Sequence, residues 1–279
     1  MTQTLTRNNV TIKGNKNTSM IFAPGFGFDQ TVWTKVSKSF ECDYQTILFD
    51  YVGFGDSDRS AYDPNRYSTL SGYVDDLIEI CSDIELKNGI FVGHSIGAMI
   101  GMLASIQRPD LFSKLVLIGP SPYYLNEPPK YYGGFEQDDL NGLLTMMEKN
   151  YFSFANSVST TIVNDQHQSR LAMDIEERFA SNDPTITRKF AELVFFSDNR
   201  QHLSRVTVPS LILQNSKDVF VPTTVGDYLK EHLPYSTVTY TNTIGHCPQL
   251  SHPEETISII RHFLNEQTEM IGNTGEPTL

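Results

Sequence analysis

The sequence is poor in cysteine and in basic residues, and it has no long apolar run. Its three cysteines, Cys42, Cys81 and Cys247, form no Cys-x-x-Cys pair and are odd in number, which argues against a disulfide framework or a zinc site. Lys and Arg number 21 against 33 Asp and Glu, a formal net charge of −12. We therefore expect no binding to nucleic acid or to an anionic membrane surface.

No apolar run approaches the roughly 18 residues that a membrane-spanning helix needs. The N-terminus lacks the basic and then apolar pattern of a secretory signal. We therefore expect a cytoplasmic protein that neither crosses nor binds a membrane.

Motifs for metals and nucleotides are also missing. The histidines are scattered, with no His-Glu-x-x-His spacing, and there is no Walker loop or dinucleotide fingerprint. The stretch GFGDSD (residues 53–58) lacks the third glycine and the strand-to-helix context of a phosphate loop. We expect no metal and no cofactor.

Strand and helix patterns alternate along most of the chain. Strands are predicted at residues 18–24, 44–53, 89–93, 111–120, 208–218 and 236–246. Helices are predicted between or after them at residues 69–84, 96–109 and 254–267. This alternation predicts an α/β fold with a mostly parallel, doubly wound sheet and helices on both faces.

The pattern changes between about Pro122 and Asn199, where no convincing strand is found. Four helices are predicted there instead, two within residues 135–163, one in 168–183 and one in 184–199. We expect an inserted four-helix lid over residues 122–199. The core would then comprise residues 1–121 and 200–268, and residues 269–279 would form a disordered tail.

Ser95 lies in the stretch GHSIG, directly after a predicted buried strand and directly before a predicted helix. A serine on such a sharp strand-to-helix turn is typical of a nucleophile elbow, which exposes the hydroxyl at the carboxyl end of the sheet. Gly93 and Gly97 would allow the strand and the helix to approach each other closely. Because a free serine hydroxyl is a poor nucleophile, Ser95 needs a base and a residue that orients it.

Asp218 and His246 follow Ser95 in the order acid and then histidine, and each comes at the end of a predicted strand. His246 would take the serine proton, while Asp218 would fix the tautomer of His246 and stabilise its charged form. The stretch FAPGFGFDQ (residues 22–30) supplies a glycine-rich loop after the first strand. The backbone N–H groups of Phe26 and Ile96 are therefore the predicted oxyanion donors.

Other residues could play these parts. His252 is the rival base, and Asp50 also ends a strand but precedes Ser95. His94 is beside the serine, where an elbow residue points elsewhere. Cys247 is interpreted as a small buried residue because the elbow holds serine.

Several stretches resemble one known family. They are APGFGFDQTVW, ILFDYVGFGDSD, FVGHSIGAMIGMLASIQRP, GPSPYYLNEPPKYYGGF and GHCPQLSHPEET. Residues 1–265 resemble an α/β-hydrolase, and more narrowly the RsbQ-like group of bacterial stress-response regulators, which is related to the plant karrikin and strigolactone receptor hydrolases. Many α/β-hydrolases open the oxyanion loop with His-Gly, where this chain has Pro24-Gly25.

The resemblance implies a Ser-His-Asp triad under a four-helix lid that covers an apolar pocket. It also implies a positive regulator of the sigma-B general stress response, which processes or senses a small hydrophobic molecule and works with a PAS-domain protein phosphatase.

The pocket should lie between the lid and the carboxyl end of the sheet. Besides Phe26, the candidate lining residues are Phe135, Phe154, Phe195, Phe196, Val219 and Phe220, of which we expect about half to face the pocket. Such a site favours a serine hydrolase of the esterase kind that acts on a small hydrophobic ester, lactone or similar compound. A ligand receptor with little turnover and a metabolic carboxylesterase remain the alternatives.

Overall fold

The computed structural model of the protein describes residues 2–272, with side chains to residue 265. In these residues seven strands are formed: β1 (Thr11–Lys13), β2 (Ser19–Ala23), β3 (Gln45–Leu48), β4 (Gly89–His94), β5 (Phe112–Ile118), β6 (Ser210–Lys217) and β7 (Ser236–Ile244). The α-helices are α1 (Gln3–Arg7), α2 (Thr34–Lys38), α3 (Leu70–Asp83), α4 (Ile96–Gln107), α5 (Gln137–Lys149), α6 (Tyr151–Val163), α7 (Ser169–Ser181), α8 (Pro184–Phe196), α9 (Thr223–His232), α10 (Pro248–Ser251) and α11 (Pro253–Gly272).

The strands form one sheet in the order β1-β3-β2-β4-β5-β6-β7. Every neighbouring pair is parallel except β1 and β3, which are antiparallel. All six residues of β4 are buried. Because successive residues of a strand point to opposite faces, both faces of the sheet centre are covered. The mostly parallel sheet predicted from the sequence is therefore present.

Four helices, α5 to α8, lie between β5 and β6 in the chain, and we refer to them as the lid. Within the lid, α6 packs on α7, and α5 packs on both α6 and α8. Each lid helix buries an apolar stripe; in α6 it includes Phe154, Val158 and Ile162. Among the described residues, no helix has both the length and the apolar character needed to cross a bilayer.

The strand β1 and the helix α9 were not predicted from the sequence, and the helix α11 ends later than predicted. The strand β1 is short and mostly exposed, so it has no apolar alternation to detect. The helix α9 buries only Val225, Gly226 and Leu229, a weak apolar stripe. The helix α11 extends to Gly272, so residues 269–272, predicted to be part of a disordered tail, are helical. Residues 273–279 lie outside the described part of the chain.

The junction between β4 and α4 depends on close backbone contact. A Cβ atom on Gly97 would lie 2.4 Å from the carbonyl oxygen of Pro24 and 2.8 Å from that of Ala23. A Cβ atom on Gly93 would lie 2.7 Å from the backbone nitrogen of Ala98. Both glycines therefore allow α4 to start directly against the neighbouring strands.

Replacing Gly97 with alanine should destabilise the protein by about 1–3 kcal/mol, because the new methyl group meets backbone atoms that cannot move aside. Gly142 is the matched control, since it is exposed on α5 and a Cβ there meets nothing within 4 Å. Gly142→Ala should stabilise by about 0.4–1 kcal/mol. Urea unfolding of both variants measures the difference, and equal midpoints would contradict the close contact at Gly97.

Candidate active site

Ser95 lies at the turn from β4 to α4 in a strained backbone conformation, with φ 54° and ψ −121°. Positive φ is uncommon for a residue other than glycine and often marks a functional position. The Ser95 N–H donates to the carbonyl of Ile118 at 2.8 Å, which ties the turn to β5. Its hydroxyl is buried and lies 3.2 Å from the hydroxyl of Tyr124.

Asp218 and His246 contact each other directly. Asp218 follows the end of β6, and His246 comes two residues after β7. The distance from His246 Nδ1 to Asp218 Oδ2 is 2.7 Å. Because a carboxylate oxygen accepts, Nδ1 carries the proton and Nε2 keeps its lone pair, which is the tautomer a base needs.

The Asp218 carboxylate is held by the backbone that follows it. Its Oδ1 accepts hydrogen bonds from the N–H of Phe220 at 2.9 Å and of Val221 at 3.2 Å. These bonds leave Oδ2 for His246 and fix the direction of the carboxylate. The Asp218 and His246 side chains are both buried.

Ser95 and His246 line the same cavity, which also has mostly apolar walls. Its lining consists of Phe26, Phe28, His94, Ser95, Tyr124, Val158, Ile162, Val194, Phe195, Phe220 and His246. The volume is about 30 Å³, which is room for about two water molecules. The lining includes residues of α6 and α8, so the lid forms part of the cavity wall.

Only two of the six predicted lining residues besides Phe26 border this cavity, namely Phe195 and Phe220. Phe135 packs behind the lining against Tyr124. Phe154 is buried against Tyr151 and Phe179 inside the lid. Phe196 packs against the core, and Val219 is 44% exposed. The pattern identified apolar residues, but which way each one faces is decided by packing.

Of the two predicted oxyanion donors, Ile96 directly follows Ser95 in the chain, and Phe26 lines the same cavity as Ser95. Ile96 is the first residue of α4, where an N–H group has no acceptor within the helix. Phe26 lies in the loop after β2, and its ring borders the cavity. That ring packs against Phe179, Phe190 and Phe195 of the lid.

His94 lies in the cavity wall, contrary to the expectation that it points elsewhere. Its Nε2–H donates to the backbone carbonyl of His246 at 2.9 Å, and its Nδ1 is buried with no partner among the described residues. Its ring lies 4.8 Å from the ring of His246. Burial, together with the neighbouring His246, lowers the pKa of His94 well below its usual value, so the ring is neutral.

The rival residues are occupied elsewhere. His252 is half-buried, its Nδ1 lies 2.8 Å from the hydroxyl of Ser251, and it does not border the cavity. Asp50 accepts from the N–H of Gln30 and from the side chain of Asn9, far along the sheet from His246. Cys247 is buried, as expected, and burial raises the pKa of its thiol.

Tyr124 is the residue that sequence reasoning missed. It lies between β5 and the lid in a stretch that has no regular periodicity, so no pattern assigned it a side. Burial raises the pKa of its hydroxyl, which therefore stays protonated. The ring contacts Phe195 and Phe135 at centroid distances of 5.2 and 6.3 Å.

The sequence profile of the α/β-hydrolase fold matches residues 18–253. The chain belongs to the α/β-hydrolase family. Its fold and its hydrolase class, both predicted from the sequence, are thereby confirmed.

Three known proteins are similar to this α/β-hydrolase over most of its length. Strigolactone esterase RMS3 of Pisum sativum is 41% identical over 246 residues, which cover 88% of this chain and 92% of the relative. Karrikin insensitive 2 receptor CA of Petunia hybrida is 39% identical over 257 residues, covering 91% and 95%. A hydrolase structure from Oleispira antarctica has a TM-score of 0.91 at 36% identity, covering 94% and 96%.

Replacing His94 with glutamine should flatten the dependence of stability on pH. At a pH below the ordinary histidine pKa of 6.5, His94 binds a proton in the unfolded chain but not in the folded α/β-hydrolase. His94 thus makes stability fall as pH falls, by up to about 1.4 kcal/mol per pH unit. Urea unfolding between about pH 5 and 7.5 measures this slope, and an identical slope in His94→Gln would contradict a buried neutral His94.

Replacing Tyr124 with phenylalanine should make Ser95 more reactive, because the two hydroxyls no longer pair at 3.2 Å. The loss of one hydrogen bond corresponds to about two- to ten-fold faster reaction. The rate of labelling by a fluorophosphonate, followed by intact-protein mass spectrometry, tests this. Slower labelling would mean instead that Tyr124 assists the serine.

Proposed function

We propose that this protein is a serine hydrolase of the esterase kind, with Ser95 as nucleophile, His246 as base and Asp218 as the residue that orients the base. The observation that carries the proposal is the 2.7 Å contact between His246 Nδ1 and Asp218 Oδ2. It fixes the tautomer of a histidine whose ring borders the same cavity as the strained serine.

In the proposed reaction, the Ser95 oxygen adds to the carbonyl carbon of an ester while His246 Nε2 takes the hydroxyl proton. The backbone N–H groups of Phe26 and Ile96 would stabilise the negative oxygen that forms. His246 then gives the proton to the leaving alcohol, and a water molecule hydrolyses the acyl-serine in a second pass through the same steps. The Asp218 carboxylate stabilises the protonated imidazole.

The substrate we propose is a small hydrophobic ester or lactone. Phe26, Phe28, Phe195 and Phe220 give the cavity aromatic walls, while the polar groups of the lining belong to Ser95 and its neighbours. An apolar site of this kind favours an uncharged substrate, and a substrate that excludes water would strengthen the oxyanion donors. Because the cavity volume of about 30 Å³ is smaller than an ester, we expect side chains of its wall to move when a substrate binds.

A signalling role is the second candidate, in which the protein acts as a ligand receptor with slow turnover. The small volume of the cavity and the contact of Tyr124 with Ser95 favour it, because both would slow reaction. Relatives at 39% and 38% identity are named Karrikin insensitive 2 receptor CA and Strigolactone esterase D14. Action on the sigma-B response, through a PAS-domain phosphatase, stays a prediction from the RsbQ-like resemblance, and a cytoplasmic location stays a prediction from the sequence pattern.

Labelling by a serine-directed sulfonyl fluoride tests the proposed nucleophile. We expect one adduct on the wild-type protein and none on Ser95→Ala, while Asp218→Asn should lower the labelling and ester-hydrolysis rates by about 10³-fold or more. Ser153→Ala, on the exposed side of α6, is the control and should behave as wild type. An adduct that persists on Ser95→Ala would refute the assignment.

Turnover separates the two candidates. A hydrolase releases many molecules of acid per molecule of protein from a p-nitrophenyl ester. A receptor would instead release about one and accumulate the acyl-serine, visible as a stable mass increase.

A further inference from the structure

The loop that carries the predicted oxyanion donor is held from outside by the lid. We call residues 25–29 the oxyanion loop and residues 178–182 the end of α7. Three residues of the end of α7, namely Arg178, Phe179 and Asn182, contact this loop. These contacts lie outside the proposed roles of Ser95, His246 and Asp218.

Asn182 makes the most direct of them. Its Nδ2 donates to the carbonyl of Gly27 at 2.8 Å, and both groups are buried. Gly27 is the residue after Phe26, so this bond holds the chain one residue beyond the predicted donor. Inside the loop, the turn is closed only by the longer bond from the Phe28 N–H to the Gly25 carbonyl, at 3.3 Å.

The ring of Phe179 packs directly against Gly27. Gly27 has φ of +75°, and a Cβ on it would lie 2.3 Å from the Phe179 ring, so the ring lies directly on its Cα. The same ring packs edge-on against Phe26 and Phe28, at centroid distances of 5.6 and 5.5 Å. The turn is thus enclosed by one aromatic side chain of the lid.

Arg178 holds the far end of the loop. Its Nη1 lies 3.1 Å from both carboxylate oxygens of Asp29 and also contacts the hydroxyl of Thr31. Asp29 is half-buried, and its carboxylate in turn accepts from the Thr31 N–H at 2.7 Å. The ion pair therefore attaches the end of α7 to the point where the loop enters its next turn.

We infer that Asn182, supported by Arg178, is a positioning residue that sets the direction of the Phe26 N–H toward the oxyanion. This inference rests on the proposed function. An oxyanion donor must lie within a few tenths of an ångström of its best position, and misplacement by about 1 Å costs about 10²-fold in rate. The lid thereby completes the catalytic site as well as covering it.

The helix α6 also contacts His246, the proposed base, at the end of the α6–α7 pair opposite to Asn182. The N–H of His246 donates to the carbonyl of Ile162 near the end of α6, at 2.8 Å. General loosening of the α6–α7 pair could therefore also change activity. A control must loosen the pair without touching the oxyanion loop.

Asn156 offers that control. It is exposed on α6, and its Nδ2 donates to Glu176 Oε2 on α7 at 2.8 Å. Asn156→Ala removes the hydrogen bond that a side-chain amide makes between α6 and α7. Asn182→Ala removes the hydrogen bond that a side-chain amide makes between the end of α7 and the oxyanion loop. Both variants lose a hydrogen bond donated by an asparagine side chain, which is exposed at Asn156 and buried at Asn182.

Hydrolysis of p-nitrophenyl acetate is measured for the wild type, Asn182→Ala, Asn182→Asp, Asn156→Ala and Ser95→Ala. We expect kcat to fall about 10- to 100-fold in Asn182→Ala with KM within about two-fold of wild type. Asn182→Asp should fall further, because its carboxylate faces the Gly27 carbonyl. Affinity for a trifluoromethyl ketone, which forms an oxyanion when Ser95 adds to it, should fall in parallel with kcat.

Equal losses in Asn182→Ala and Asn156→Ala, or a fall in kcat with unchanged affinity for the ketone, would overturn the positioning role. If the wild type shows no Ser95-dependent hydrolysis, the proposed function fails instead. Hydrogen exchange of the 25–29 amides then decides the positioning separately. Faster exchange in Asn182→Ala alone supports it, and unchanged exchange refutes it.

Discussion

The parallel alignment of the strands is the constraint on which the rest of this structure depends. In a parallel sheet all carboxyl ends lie along one edge, so the residues that follow different strands meet there although they are far apart in sequence. Phe26 follows β2, Ser95 follows β4, Asp218 follows β6 and His246 follows β7. Strand polarity brings a candidate nucleophile, acid, base and oxyanion loop to the same edge.

Without the lid, this edge of the sheet would be exposed to water. The lid covers it with apolar side chains. The lid helices α6 and α8 supply Val158, Ile162 and Val194 to the wall of a cavity of about 30 Å³. Exclusion of water strengthens each hydrogen bond and each charge interaction inside the cavity. It also keeps His94 neutral, since a buried imidazole gains a proton only at a cost in solvation.

The same lid contacts the two loops that carry the predicted oxyanion donor and the predicted base. Its helices contact the loop of Phe26 through Asn182 and the loop of His246 through the carbonyl of Ile162. One set of helices therefore both covers the cavity and contacts the two loops beside Ser95.

The sequence by itself determined the parallel sheet, the inserted helices and the residues most suited to nucleophilic chemistry. These follow from local signals: apolar runs, helical spacing, and a serine between a strand and a helix with glycines at close-contact positions. Only the tertiary structure decided which side chains border the cavity, as Phe195 does and Phe154 does not. It alone placed Tyr124 on Ser95, His94 on the His246 carbonyl and Asn182 on Gly27. Contacts between residues distant in sequence depend on how elements pack and rotate against each other, and no local pattern encodes that rotation.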